Sequence, residues 1–523
     1  MMLMLTAAAR NAGFSGKTIL SRNTSFSRND NISRNAILSW NTDWFRKIIF
    51  YCAASCRKTG VVCRVVTTLL LMWSAALPVQ ASGSGTSVSD SVISLDALQH
   101  IAPGDRAALA RAAQDKKAAI LVTDDKGAVL FSQNPYIPMV PASILKILTS
   151  LAALTHLGPD FHFTTLAAYD PDTHILYVRG QGDPLFVSEA ILSFCRRVKE
   201  KTGVKQIRKI VVDQSFFAAD IQIPGTGRSL NPYDATIGAL CANFNTMHFT
   251  WDAAAQTYVS AEPQTPLLDI FKRQIRKTGL KQGRILVEKQ IRPLYPGLLM
   301  AHFFTTLGLD VTGPVETGPF PSHARTINTA LMPDTPDKTV DDTPDDTLDI
   351  SDTPDTPDTP DNPDNPDNPD NLDNLDNLDN RASKTLTLSS PYTLEQVVEK
   401  LLTHSNNFIA NQVMLAMGAQ AFGEPAILDK GVRVLTDFAG KELGWQQIQL
   451  AEGSGLSRKN RVTAAQMEQL LQAFMPHHRL LKRSSTQYYK TGTLSDVRSR
   501  AGYFIGTDNR LYPFVIILNY FSM

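Results

Sequence analysis

The stretch from Met332 to Asn380 repeats a triplet, first Asp-Thr-Pro, then Asp-Asn-Pro, then Asp-Asn-Leu, and carries 17 Asp against the single Lys338. Proline at that density removes backbone donors and like charges repel, so the tract is not expected to bury a core of its own. In a polyproline II conformation, with three residues per turn, the Asp side chains would line one face. It lacks the glycine and the closing glutamate of a calcium loop, and a solvated spacer is the expected role. Whatever folds must do so before and after it.

With the tract set aside, the formal net charge of +1 stops being informative. The first 81 residues hold ten Lys/Arg against two acidic residues, and the rest of the chain outside the tract holds 40 against 31. That balance is mildly basic, with no cluster that reads as a nucleic-acid patch, so nucleic acid is not expected as a partner. The apolar run Val65–Leu77 follows Arg57, Lys58 and Arg64 and precedes Pro78-Val79-Gln80-Ala81. It is too short for a membrane span, which needs about 20 residues, and reads as the core of an export signal cleaved near Ala81. Before it, Ser-Arg-Asn recurs at 21, 27 and 33 without a credible core, and translation is expected to start downstream of much of residues 1–55. The protein is therefore expected outside the cytoplasm, with no indicated membrane association. Of five cysteines, Cys195 and Cys241 remain after the signal, and two buried thiols are the expected state. No Cys/His spacing resembles a zinc site, so neither a metal nor another cofactor is expected.

Two apolar runs, Ala118–Thr123 and Ala128–Ser132, flank Asp124-Asp125-Lys126-Gly127 and predict a hairpin. A helix follows from Ala142 to about Leu157. Residues 163 to about 320 mix short strand-like runs with helices at Ser188–Lys201 and Leu267–Lys277, each closed by Thr-Gly, and read as a separate α+β unit. After the tract come helices over 392–404, 405–418, 424–443 and Thr463–Phe474, then strand-like runs Gln487–Thr493, Gly502–Ile505 and Tyr512–Tyr520. Strands at both ends with helices between predict one sheet closed by the two ends of the folded region.

Three short patterns carry chemistry. In Ser143-Ile144-Leu145-Lys146 the first and last residues share a helix face, where a lysine can take the serine's proton. Ser405-Asn406-Asn407 lies at the junction of two helices, and Lys490-Thr491-Gly492-Thr493 lies on a strand. Each pattern recurs by chance: Ser55-Cys56-Arg57-Lys58 matches the first, and Lys-Thr-Gly also occurs at 58–60, 201–203 and 277–279. Only the ordered set of nucleophile helix, interhelical Ser-x-Asn and strand Lys-Thr-Gly is distinctive.

That set, with Arg179–Pro184, Val211–Phe217, Asn231–Ala235, Asn243–Asn245, Glu452–Arg458 and Ala501–Tyr503, resembles the low-molecular-mass class C penicillin-binding proteins, the serine D-Ala-D-Ala carboxypeptidase/endopeptidase family. The resemblance implies an α+β fold: a penicillin-binding or serine β-lactamase-like domain, its antiparallel sheet formed by both ends and covered by helices, with an inserted α+β accessory domain. The expected layout is an N-terminal extension and signal over 1–81, the first part of the transpeptidase-like domain over 90–162, the insertion over 163–331, the linker over 332–381 and the second part over 382–523. By resemblance, Ser143 attacks the D-Ala-D-Ala carbonyl, Lys146 takes its proton and Ser405 relays a proton to the leaving amine. Asn407 holds the peptide amide, while Lys490, Thr491 and Thr493 bind the terminal carboxylate. The backbone N–H groups of Ser143 and Thr493 form the oxyanion hole. The partners implied are peptidoglycan peptides ending in D-Ala-D-Ala, with β-lactams as inhibitors. A serine β-lactamase and a catalytically idle peptidoglycan-binding protein are the alternative readings.

Overall fold

The computed structural model describes residues 98–227, 230, 234–321, 325–327 and 384–520. The expected export signal and the Asp-rich tract lie outside these residues.

Helix α1 (Pro103–Ala113) leads into the hairpin β1 (Ala119–Thr123) and β2 (Val129–Gln133). Asp124 closes the turn by accepting the backbone N–H groups of Lys126 and Ala128 on its carboxylate. A single 3-10 turn, Ala142–Leu145, runs directly into α2 (Lys146–Leu157). The middle of the chain supplies β3 (His162–Asp170), β4 (Ile175–Gly180), α3 (Ser188–Thr202), β5 (Lys209–Asp213), β6 (Thr246–Asp252), β7 (Thr257–Ser260), α4 (Asp269–Thr278), β8 (Gln282–Leu286), α5 (Tyr295–Thr306), β9 (Val315–Thr317) and β10 (Arg325–Ile327). Then come β11 (Lys384–Thr393), α6 (Leu394–His404), α7 (Asn407–Phe422), α8 (Leu428–Lys441), α9 (Ala464–Phe474) and the final strands β12 (Gln487–Leu494), β13 (Val497–Ile505) and β14 (Leu511–Asn519).

Three larger sheets, beside a two-stranded parallel pair of Gln206–Ile207 and Asp310–Val311, organise these elements. The first runs from a two-residue strand, Lys482–Arg483, through β12, β13, β14 and β1 to β2, every pair antiparallel. Its interior strand β1 reads Ala-Ile-Leu-Val-Thr and is buried throughout, because both faces are covered. Ala119 and Leu121 join the helices α2, α6, α7 and α9 in one core, while Ile120 and Val122 pack with Leu109 of α1 and Phe514 in another. Helix α7 is mostly apolar and buried on all sides from Asn407 to Ala419, as a helix at the centre of a core must be.

The second sheet, ordered β9-β5-β4-β3-β11-β10, is mixed and packs against α3 and α5. The third is the antiparallel set β7-β6-β8. Lys-Thr-Gly at 201–203 and 277–279 closes α3 and α4, with Gly203 and Gly279 in the left-handed conformation that ends a helix. The first ten described residues after the tract, grouped above with the C-terminal part of the chain, form β11 of this second sheet. Leu386 and Leu388 are the reason, since both are buried in its core and their alternation suits a strand paired with β3. Cys195 and Cys241 are buried free thiols.

Candidate active site

The candidate site gathers where α2, the α6–α7 junction, β12 and the 452–457 loop converge. Ser143 lies in the 3-10 turn just before α2, with Lys146 as the first residue of that helix. Ala142 is held at a left-handed φ of 50°, a conformation that alanine adopts only under constraint. The constraint is local: Ser499 Oγ donates to the Pro141 carbonyl at 2.5 Å, and Met139 bridges to Val462.

Lys146 is fully buried, at 0% exposure. Its Nζ lies 2.9 Å from Ser143 Oγ, 2.6 Å from Asn407 Oδ1 and 2.7 Å from the Ser454 carbonyl oxygen. Burial holds its proton affinity well below that of an ordinary lysine; the cation Lys490 pushes the same way, and Glu452 opposes them. Ser405 closes α6 with φ 55°, Asn406 caps α7 by accepting the Ile409 N–H, and Asn407 opens α7 facing inward. Three consecutive residues thus end one helix, start the next and supply a ligand to Lys146.

Lys490 reaches the site from β12. It is 3% exposed, and its Nζ donates to Ser405 Oγ at 2.7 Å and to the Thr491 carbonyl at 2.8 Å. Burial pushes its pKa down to about 8, so at neutral pH it keeps its proton. Burial thus lowers the proton affinity of both lysines, and at Lys146 the charge of Lys490 adds to it. Thr491 and Thr493 are exposed on this strand. Lys482–Arg483 pairs only with Tyr488 and Tyr489, so among the described residues no strand pairs with 490–494 on that side.

Gly492 brings β12 against the nucleophile turn. A methyl group there would lie 2.7 Å from the Ser143 backbone nitrogen and 2.3 Å from Ser499 Oγ. Gly492→Ala is therefore expected to push the strand away from Ser143 and to slow its acylation by about 10²-fold, the cost of misplacing reacting groups by about 1 Å. Stopped-flow labelling with a fluorescent penicillin measures this, and wild-type rates in that variant would disprove the close approach.

All seven residues singled out above, from Ser143 to Thr493, lie at or beside this cleft. Missed from the sequence were Glu452, Asn411 and Ser454. The Glu452–Arg458 stretch was visible as a likeness, but nothing in it marked which residue faces the lysine. Asp213 accepts the backbone N–H groups of Ser215 and Phe320, and Asp183 that of Leu185. Arg458 pairs with Asp496.

A profile described as the D-Ala-D-Ala carboxypeptidase 3 (S13) family matches residues 105–289 and 377–486, more than half of the chain. The chain belongs to the S13 family. The S13 match takes in Ser143, Lys146, Ser405, Asn407 and Glu452 and stops four residues before Lys490, whose position is given by β12. Carboxypeptidase DacB of Mycolicibacterium smegmatis is 26% identical over an alignment of 198 positions that covers 33% of this chain and 42% of that protein. The chain thus matches less than half the length of this relative. Among solved structures, penicillin binding protein 4 (dacB) from Haemophilus influenzae superposes with a TM-score of 0.55 at 17% identity, over 79% of this chain and 94% of that one. The same protein complexed with a novel β-lactam gives 0.52 at 17% identity, over 79% and 93%. At that identity the likeness is one of fold: the S13 chain has the fold of the penicillin-binding proteins.

Proposed function

We propose that this chain is a serine-type D-alanyl-D-alanine carboxypeptidase and/or endopeptidase that acts on peptidoglycan stem peptides through an acyl-enzyme and is inhibited by β-lactams. Membership of the S13 family supports the substrate class, and the surroundings of Lys146 Nζ carry the mechanism. A neutral amine has two N–H donors and one lone pair. With Asn407 Oδ1 and the Ser454 carbonyl taking the donors, the lone pair is left for the Ser143 hydroxyl proton, 2.9 Å away between heavy atoms.

In this reading Ser143 Oγ gives its proton to Lys146 as it bonds to the carbonyl carbon of the penultimate D-Ala. The carbonyl electron pair moves onto oxygen, where the backbone N–H groups of Ser143 and Thr493 receive it. Collapse breaks the C–N bond, and the proton on Lys146 reaches the leaving amine through Ser405. A water then attacks the ester, its proton taking the same route back to Ser143. Asn407, with Oδ1 on Lys146, presents its amide nitrogen to the peptide. Lys490, Thr491 and Thr493 hold the terminal carboxylate. Incubation with a purified pentapeptide muropeptide and with a cross-linked dimer tests the reading. Free D-Ala from the first, monomers from the second, or both are expected; neither product from either substrate would sink it.

The charge on Lys490 gives a pH dependence. Its pKa in the fold is about 8, so the cation is present below that pH and lost as pH rises through it. The kcat/KM for peptides ending in a free carboxylate is expected to fall above about pH 8, while that for amidated peptides stays flatter. Lys490→Ala should cost carboxylate-terminated substrates about 10²-fold and amidated ones less. Equal losses on the two would remove the electrostatic role.

The site of action in this reading is outside the cytoplasm, with Val65–Leu77 as the export signal. No helix among the described residues is long and apolar enough to cross a membrane. N-terminal sequencing of the secreted form should begin near Ser82, and a start near residue 1 would contradict export by this signal.

A further inference from the structure

One buried charge near the nucleophile has no part in the steps above. Glu452 is 0% exposed, and five donors point at its carboxylate. Oε2 accepts from the Ser454 N–H at 2.7 Å, Ser454 Oγ at 2.5 Å and Asn411 Nδ2 at 3.2 Å. Oε1 accepts from the Ser457 N–H at 3.1 Å and Asn460 Nδ2 at 2.7 Å. Five donors suit an acceptor-only carboxylate, and they offset the cost of burying it.

The loop it organises is fastened to both catalytic helices one turn beyond the residues that act. Thr149, three positions after Lys146, donates to the Gly453 carbonyl at 2.6 Å. Asn411, four positions after Asn407, accepts the Gly453 N–H at 3.0 Å and donates to the Asn407 carbonyl at 3.1 Å. Between these fastenings the Ser454 carbonyl is delivered to Lys146 Nζ. The other charged group acting on Lys146 is Lys490, from β12. Asn407 and Ser454 supply its neutral ligands, from α7 and from the loop itself.

We propose that Glu452 is a positioning residue for acylation: through Ser454 and Asn411 it holds Lys146 Nζ against Ser143 Oγ, and its negative charge offsets that of Lys490. This rests on the reading of Ser143 as nucleophile and Lys146 as base. A glutamine cannot replace it, because one end of its amide would turn a donor toward donors.

The test measures penicillin acylation of the full chain against pH. Glu452→Gln is expected to lose about 10²-fold at the optimum through loss of alignment. Its acid limb should also move to lower pH, by on the order of one unit, because removing the anion favours the neutral amine. Glu452→Asp keeps the charge, and its acid limb should stay where the wild type has it. Lys490→Gln should move the limb the other way. Asn411→Leu, which leaves the carboxylate in place, guards against a misfolded Glu452 variant: it should lose rate without moving the limb. Wild-type profiles in both Glu452→Gln and Asn411→Leu would overturn the positioning role while leaving the function intact. A wild-type chain that takes no penicillin, or a Ser143→Ala chain that still does, would instead overturn the reading on which it rests.

Discussion

Ser143→Ala is expected to abolish labelling by a fluorescent penicillin while leaving the thermal unfolding transition in place. In the wild type the drug should add one molecule's mass to the peptide containing Ser143, and none to those containing Ser55 or Ser405. It should stay there, because the opened ring keeps the leaving group tethered and hinders the water that would release it. The fold should survive, since Ser143 is only partly buried and trading its hydroxyl for hydrogen leaves little cavity. Lys146 keeps its bonds to Asn407 and Ser454 in that variant. Ser405→Ala should slow labelling less, as a relay can be bypassed by water and an attacking atom cannot. Labelling that survives Ser143→Ala would overturn the site and the mechanism together; steady turnover of a chromogenic cephalosporin would shift the activity toward a β-lactamase.

Lys146→Met should lower the acylation rate by at least about 10³-fold, since a serine without a base is a poor nucleophile. Its effect on stability has a distinct signature. In the fold Lys146 binds a proton far less readily than an unfolded lysine, whose pKa is 10.5. Between the lowered folded value and 10.5 the unfolded chain therefore carries the extra proton, and wild-type stability rises with pH across that window. Lys490 adds the same slope between about 8 and 10.5. Replacing Lys146 by methionine removes its share, so the gain in Tm from neutral pH to about pH 10 should shrink in the variant. An unchanged slope would mean that Lys146 is not held neutral.

Local patterns were legible in the sequence wherever short-range chemistry decides the outcome. Asp124 to Gly127 announces a hairpin, Thr463 caps α9 together with Gln466, and Thr-Gly closes two helices, all through contacts a few positions apart. The order of Ser143, Ser405 and Lys490 was equally plain. What could not be read was the set of partners that only the fold brings near. Asn411 and Glu452 are 41 positions apart, and Lys146 and the Ser454 carbonyl are 308 apart. A lone glutamate among glycines and serines looks like a surface loop until the helices that bury it are in place. The strand character of Lys384–Thr393 was hidden for the same reason, because its partner β3 lies on the far side of the whole insertion.

That pairing of β3 with β11 decides how the middle of the gene is free to change. His162 stands opposite Thr393, the Phe161 carbonyl accepts the Leu394 N–H at 2.7 Å, and the Pro159 carbonyl accepts the Glu395 N–H at 3.0 Å. The chain leaves the body that holds Lys146 and returns to it at two adjoining points, the helix bearing Lys146 ending beside one and the helix leading to Ser405 starting beside the other, while Phe217, Ala235 and Cys241 between them pack into the same core. A flexible loop between fixed ends costs only about 0.6 kcal/mol for each doubling of its length, so a longer turn between β6 and β7, where Ala253 to Gln256 are exposed, leaves those two points as close as they are.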